Sequence, residues 1–197
     1  MVESDGSHVN TIVNALERGE VVAIPTDTVY GLAADPTSPT AMRSLFELKE
    51  RPEGVPVAVL VSSLDMARSI VEPNAPFEQL AAEHWPGALT IVAAARPNLG
   101  LHIGATANEA GVSTVGVRVP DHDLIRRCAN AFGPIAATSA NRHGAPTITE
   151  PTALVDAFGD HVKVVVASGV LEGLASTVVD VSGRDVVILR QGVVQVA

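Results

Sequence analysis

Short runs of Val, Ile, Ala and Leu, each about the length of one strand, recur along this chain between segments of helical period. Residues 21–24, 57–61, 89–95, 115–119, 135–138, 162–167, 177–181 and 186–189 read as strands, with 193–196 as a last one. Residues 9–18 place Val9, Ile12, Val13 and Leu16 on one helical face and stop at Gly19. Residues 40–49 do the same with Met42, Leu45, Phe46 and Leu48, and Thr40 reads as the N-cap. Residues 63–70, 77–84, 123–132 and 152–158 read as further helices, the third ended by Gly133-Pro134. Helices and strands alternate early and strands cluster late. That order predicts an α/β fold built on a mixed sheet, in a single domain over residues 1–197. Aromatics make up only 3% of the chain, so the core must be built from Val, Ala, Leu and Ile.

Charge and cysteine content exclude several function classes. The net charge is −9, and there is no Lys/Arg-rich tract of the kind a general nucleic-acid binder carries. Lysine occurs only at 49 and 163, so the cations are mostly Arg, which suits forked contacts to phosphate or carboxylate. The single cysteine, Cys128, leaves no internal disulfide and no Cys-rich zinc site, and it reads as a small core residue. The six histidines show no metal-ligand spacing. Asp121-His122-Asp123 follows a proline and opens a helix, so capping is the expectation there. No apolar run reaches the roughly 18 residues of a membrane span. The acidic N-terminus lacks a secretory pattern, and the cytoplasm is the expected location.

The chemistry-bearing segments share one form, an apolar edge followed by small polar groups or an Arg. After the run 21–24 come Pro25, Thr26, Asp27, Thr28, Val29 and Tyr30, where an α/β sheet usually binds ligands. Lys49 and Arg51 end a helix, where cations also complement the macrodipole. Thr114 and Arg118 lie in 113–120, Ala137, Ser139, Asn141 and Thr147 in 136–147, Ser176 in 175–180, and Arg190 in 189–192. Thr, Ser and Asn after strands are also ordinary turn formers. Arg118 is harder to dismiss. A guanidinium inside a run of Val needs a partner or a polar cavity, and Asp180 is a candidate structural partner. Together these cations and hydroxyls suit a small anion bearing phosphates and a carboxylate, and not a long duplex. The P-loop, the dinucleotide fingerprint and the nucleophile elbow are all missing.

Seven stretches, in order, resemble the threonylcarbamoyl-AMP synthase (YrdC-like) family in its short single-domain form. They are 25–32 (PTDTVYGL), 48–52 (LKERP), 84–92 (HWPGALTIV), 115–120 (VGVRVP), 134–147 (PIAATSANRHGAPT), 176–180 (STVVD) and 189–192 (LRQG). The resemblance implies a twisted mixed sheet with flanking helices around a positively charged cavity. It implies L-threonylcarbamoyladenylate and pyrophosphate made from L-threonine, bicarbonate or CO2, and ATP, with Mg2+ carried on the phosphates and no protein-held metal. A separate transferase complex would then modify tRNA, so tRNA is met only indirectly.

By position, the resemblance assigns catalysis to Lys49, Arg51, Ser139 and Asn141. It assigns threonine contacts to Thr28, Arg118, Ser139 and Ser176, and ATP contacts to Arg51, Thr114, Ala137, Thr147 and Arg190. Lys49 and Arg51 are expected on the triphosphate, and Arg118 on the amino-acid carboxylate. Three departures stand out: Leu60 falls near a position where the family often has His, Arg142-His143 replaces the more usual small or Ser-containing step before Gly144, and Asp27 stands where Glu is frequent. Asp27 and Tyr30 receive no role. The small residues of 100–111 suggest a mobile cover. Two alternatives remain open, a non-catalytic RNA-binding module and an enzyme acting on carbamoyl phosphate.

Overall fold

The computed structural model describes residues 1–3, 8–52, 55–104, 107–108 and 110–196. Part of the proposed cover at 100–111, and most of the acidic N-terminal stretch, lie outside the described residues. Ten strands are seen among them: β1 (Val2–Glu3), β2 (Val21–Ile24), β3 (Gly31–Ala34), β4 (Ala58–Leu60), β5 (Leu89–Ala94), β6 (Thr114–Arg118), β7 (Ile135–Ser139), β8 (Val162–Ala167), β9 (Thr177–Asp180) and β10 (Val187–Arg190). The six helices are α1 (Val9–Glu17), α2 (Pro39–Leu48), α3 (Leu64–Ile70), α4 (Ala75–His84), α5 (Asp123–Phe132) and α6 (Pro151–Phe158). No helix among the described residues is long and apolar enough to cross a membrane.

The strands form one mixed sheet in the order β1-β8-β2-β3-β7-β4-β6-β5-β9-β10. β8 runs parallel to β1 and β2, β4 to β6, and β5 to β9, and the other pairings are antiparallel. Around β2 both faces are covered, which is why its run is continuously apolar instead of alternating, whereas Val187, Ile188 and Leu189 of the edge strand β10 are exposed. In β2, Val22 and Ile24 pack with Ile12 and Leu16 of α1 and Leu124 and Ile125 of α5. Val21 and Ala23 face the larger cluster, with Leu45 of α2 and Phe158 of α6. Cys128 belongs to the first cluster, and burial pushes its thiol up to about 12, so it is a core residue.

The structure corrects three local expectations and adds one strand. The α2 cap is Ser38, whose hydroxyl accepts the Ala41 N–H at 3.2 Å, and not Thr40. Pro39 explains the shift, because its fixed φ starts the helix one residue earlier. At α5, His122 holds the cap position without a side-chain cap, and Asp121 instead pairs with Arg126 at 3.1 Å. Residues 193–196 form no strand. They lie as an irregular tail on the start of β9, tied by Val193 N–H to Ala175 O and by the Thr177 hydroxyl to Val194 O. Residues 31–34, given no element by the pattern of runs, are the buried strand β3 between β2 and β7.

Candidate active site

A cavity of about 290 Å³ is lined by residues of β3, β4, β5, β6, β7, β9 and β10 and of the loops beside them. Its wall brings together Thr28, Arg51, Arg118, Ala137, Ser139, Ser176 and Arg190, seven residues expected from the sequence. Leu60 and Val178 supply apolar surface. Lys49, Thr114, Asn141 and Thr147 are not in the wall. Thr114 is buried in β6 and Thr147 is half-buried in the loop after β7.

Two of those four act from behind the wall. Lys49 is only 1% exposed, and its ammonium donates to Ser139 O (2.5 Å), Asn141 O (2.8 Å) and Asn141 Oδ1 (2.8 Å). An ammonium has three N–H groups, so all are used inside the protein. Burial pushes this group down to about 8, and the nearby charge of Arg51 adds to the effect. The same Asn141 Oδ1 accepts the Ser139 hydroxyl at 2.7 Å, while Asn141 Nδ2 donates to Ala145 O at 2.5 Å. Lys49 therefore fixes which way the Asn141 amide faces. Asn141 in turn takes the only proton of Ser139 and leaves that hydroxyl to the cavity as an acceptor.

The loop 25–30 is tied together around the Thr26 hydroxyl. The Thr26 hydroxyl donates to Val29 O at 2.7 Å and lies 2.9 Å from the Thr28 hydroxyl. Thr26 Oγ1 also accepts the Thr28 and Val29 N–H groups, both at 3.2 Å. Thr28 Oγ1 also accepts Arg118 Nη1–H at 3.1 Å, which leaves one lone pair. Tyr30 holds this loop to the sheet, donating to Gly169 O (2.7 Å) and accepting Ser168 N–H (2.8 Å).

Arg118 is held on three sides. It donates from Nε to Gly87 O (2.9 Å), from Nη1 to Thr28 Oγ1 (3.1 Å) and from Nη2 to Asp27 Oδ1 (2.6 Å). Its ion-pair partner is Asp27 and not Asp180, whose carboxylate accepts Ser182 N–H at 2.7 Å. Burial lowers the Arg118 guanidinium and Asp27 opposes that fall. Of the five N–H groups of a guanidinium, three are thus engaged and two remain for the cavity.

Arg51 donates to Val55 O (3.0 Å) and Pro56 O (2.7 Å), and Arg190 to Ser176 O (2.8 and 3.1 Å). These acceptors are neutral carbonyls. After burial, the next cause lowering Arg51 is the charge of Arg190, and the next lowering Arg190 is that of Arg118. Like charges gathered in one wall repel each other, and an anion placed among them would relieve that repulsion.

The Sua5/YciO/YrdC family model, described as telomere recombination, matches residues 14–192. The chain belongs to the Sua5/YciO/YrdC family. Among its relatives, a Mycobacterium tuberculosis protein is 36% identical over 183 residues, covering 91% of this chain and 82% of that protein. The threonylcarbamoyl-AMP synthase of Vibrio parahaemolyticus is 33% identical over 153 residues, covering 76% of this chain and 80% of its own length. The crystal structure of Pyrococcus abyssi Sua5 complexed with L-threonine superposes with a TM-score of 0.83 at 30% identity, over 95% of this chain. The chain spans about half of that longer protein, 55%. Within this Sua5/YciO/YrdC member, sequence reasoning left out Asp27, Thr26 and Thr90, whose hydroxyl lies 3.0 Å from that of Ser176. Asp27 carried a signal, a carboxylate between two Thr, but its partner is 91 residues away.

Proposed function

We propose that this chain is an L-threonylcarbamoyladenylate synthase, joining L-threonine, bicarbonate or CO2, and ATP into threonylcarbamoyl-AMP and pyrophosphate. The observation that carries the reading is the polarity of the cavity. Arg118 offers two N–H groups to a carboxylate, while Thr28 and Ser139 offer acceptors to an amine. That is the complement of an α-amino acid. Arg51 and Arg190 remain for phosphates, and the Vibrio relative's name and the threonine bound to Pyrococcus abyssi Sua5 support the same assignment.

The threonine carboxylate forks onto Arg118 and its amine faces Thr28 and Ser139. Once deprotonated, the amine adds to CO2, and the proton shed from nitrogen on addition passes to solvent, leaving an N-carboxylate. That carboxylate attacks the α-phosphorus of ATP, and pyrophosphate leaves. No covalent enzyme intermediate is needed, because the protein's task is to hold two anions in contact and balance their charge. Lys49 and Asn141 act by orienting Ser139. Mg2+ arrives with the ATP phosphates as part of the substrate, and no group of His, Cys, Asp or Glu among the described residues has metal-ligand geometry. The product passes, in the cytoplasm, to a transferase complex that modifies tRNA.

The test omits one reactant at a time. Pyrophosphate release requiring threonine, bicarbonate and ATP together is the expected result. Release that ignores threonine, or that runs on carbamoyl phosphate in its place, would overturn the assignment. Salt-dependent RNA binding without pyrophosphate release would favour the RNA-binding alternative.

A further inference from the structure

Asp27 lies outside the cavity wall, yet it makes the shortest contact to the guanidinium that the wall presents. The pair is 2.6 Å apart with side chains only 6% and 14% exposed, so it is not a loose surface bridge. A planar guanidinium fixed at Nε and Nη1 alone can still tilt about that edge. The Nη2 contact to Asp27 removes the tilt and so fixes the plane in which the two free N–H groups lie. Asp27 also balances the charge of Arg118, while Arg51 and Arg190 rest on neutral carbonyls. The phosphates of a nucleotide are thereby drawn to Arg51 and Arg190, and Arg118 is kept for a weaker anion.

We propose that Asp27 is a positioning and specificity-determining residue, which aims Arg118 and reserves it for the amino-acid carboxylate. This rests on the amino-acid reading of the cavity given above. Asp27→Ala removes both the acceptor and the charge, and Asp27→Asn keeps an acceptor oxygen of the same reach. Asp27→Ala is expected to raise KM for threonine roughly tenfold to a hundredfold, with KM for ATP changed by less than about threefold. Asp27→Asn, which keeps the aim but not the charge, should recover most of the rise in threonine KM while letting inorganic phosphate compete with threonine. A purely structural role would raise both KM values together or lower kcat alone.

A second measurement needs no substrate. In the free protein, the Arg118 Nη2–H resonance that faces Asp27 should exchange slowly with water, lose that protection in Asp27→Ala, and keep it in Asp27→Asn. Should Asp27→Ala not fold, Asp27→Ser carries the same expectations. An unchanged threonine KM in Asp27→Ala, equal loss in Ala and Asn, or unchanged Arg118 exchange would each overturn the proposal. If the unaltered protein shows no threonine dependence while Arg118 exchange responds to Asp27, the substrate assignment fails and the positioning role stands.

Discussion

At the scale of single residues, the site depends on which proton goes where. Lys49 looked from the sequence like a phosphate ligand, because a lysine beside an arginine at a helix end suggests an anion. Its partners are backbone carbonyls some 90 residues away, which no local pattern reveals. Arg118 was legible for the opposite reason: a charge inside a valine run announces that something must meet it. Its fork leads to the first prediction. Arg118→Lys keeps a charge but loses the paired N–H groups, so KM for threonine should rise at least about tenfold while KM for ATP changes little. Lys49 leads to a second. The unfolded chain keeps this proton up to its ordinary value of 10.5, and the folded chain only up to about 8. Between those values the unfolded state binds more protons, so stability should rise with pH across that window. Activity should move the other way. A neutral amine has too few N–H groups for its three acceptors, so kcat/KM should fall as pH rises through about 8. A pH profile of kcat/KM beside a denaturant series separates the two, and a joint fall would contradict this role for Lys49.

At the scale of elements, the helices and most strands were legible because their periods are strong and their ends carry Ser, Asn, Pro or Gly. Strand β3 was not, because Gly-Leu-Ala-Ala has no β-branched residue and weak strand preference. It is a strand because β2 and β7 pair with it on both sides. That pairing gives the 25–30 loop its place: it joins two buried strands and cannot drift from the cavity. The loop is closely fitted at Gly173, where an added Cβ would collide with the backbone carbonyl of Thr28. Gly173→Ala should therefore cost about 1–3 kcal/mol of stability. It should also raise the threonine KM by displacing Thr28. Calorimetry with threonine and ATP titrations checks both, and a stable variant with unchanged threonine affinity would show that the loop yields freely.

At the scale of the whole molecule, a net charge of −9 coexists with three arginines in one cavity wall. Composition predicted the first, and only the fold assembles the second, since β4, β6, β7 and β10 meet there from distant parts of the chain. The mixed α/β class was readable from the order of runs. The strand order was not, because β1 and β8 pair across nearly the full chain. The measurement that bears most directly on function is product analysis with isotope-labelled bicarbonate, unlabelled threonine and ATP. The label should appear in a species carrying both threonine and AMP, in equal amount to the pyrophosphate released. Pyrophosphate without that labelled adenylate, or an adenylate lacking the label, would contradict the assignment.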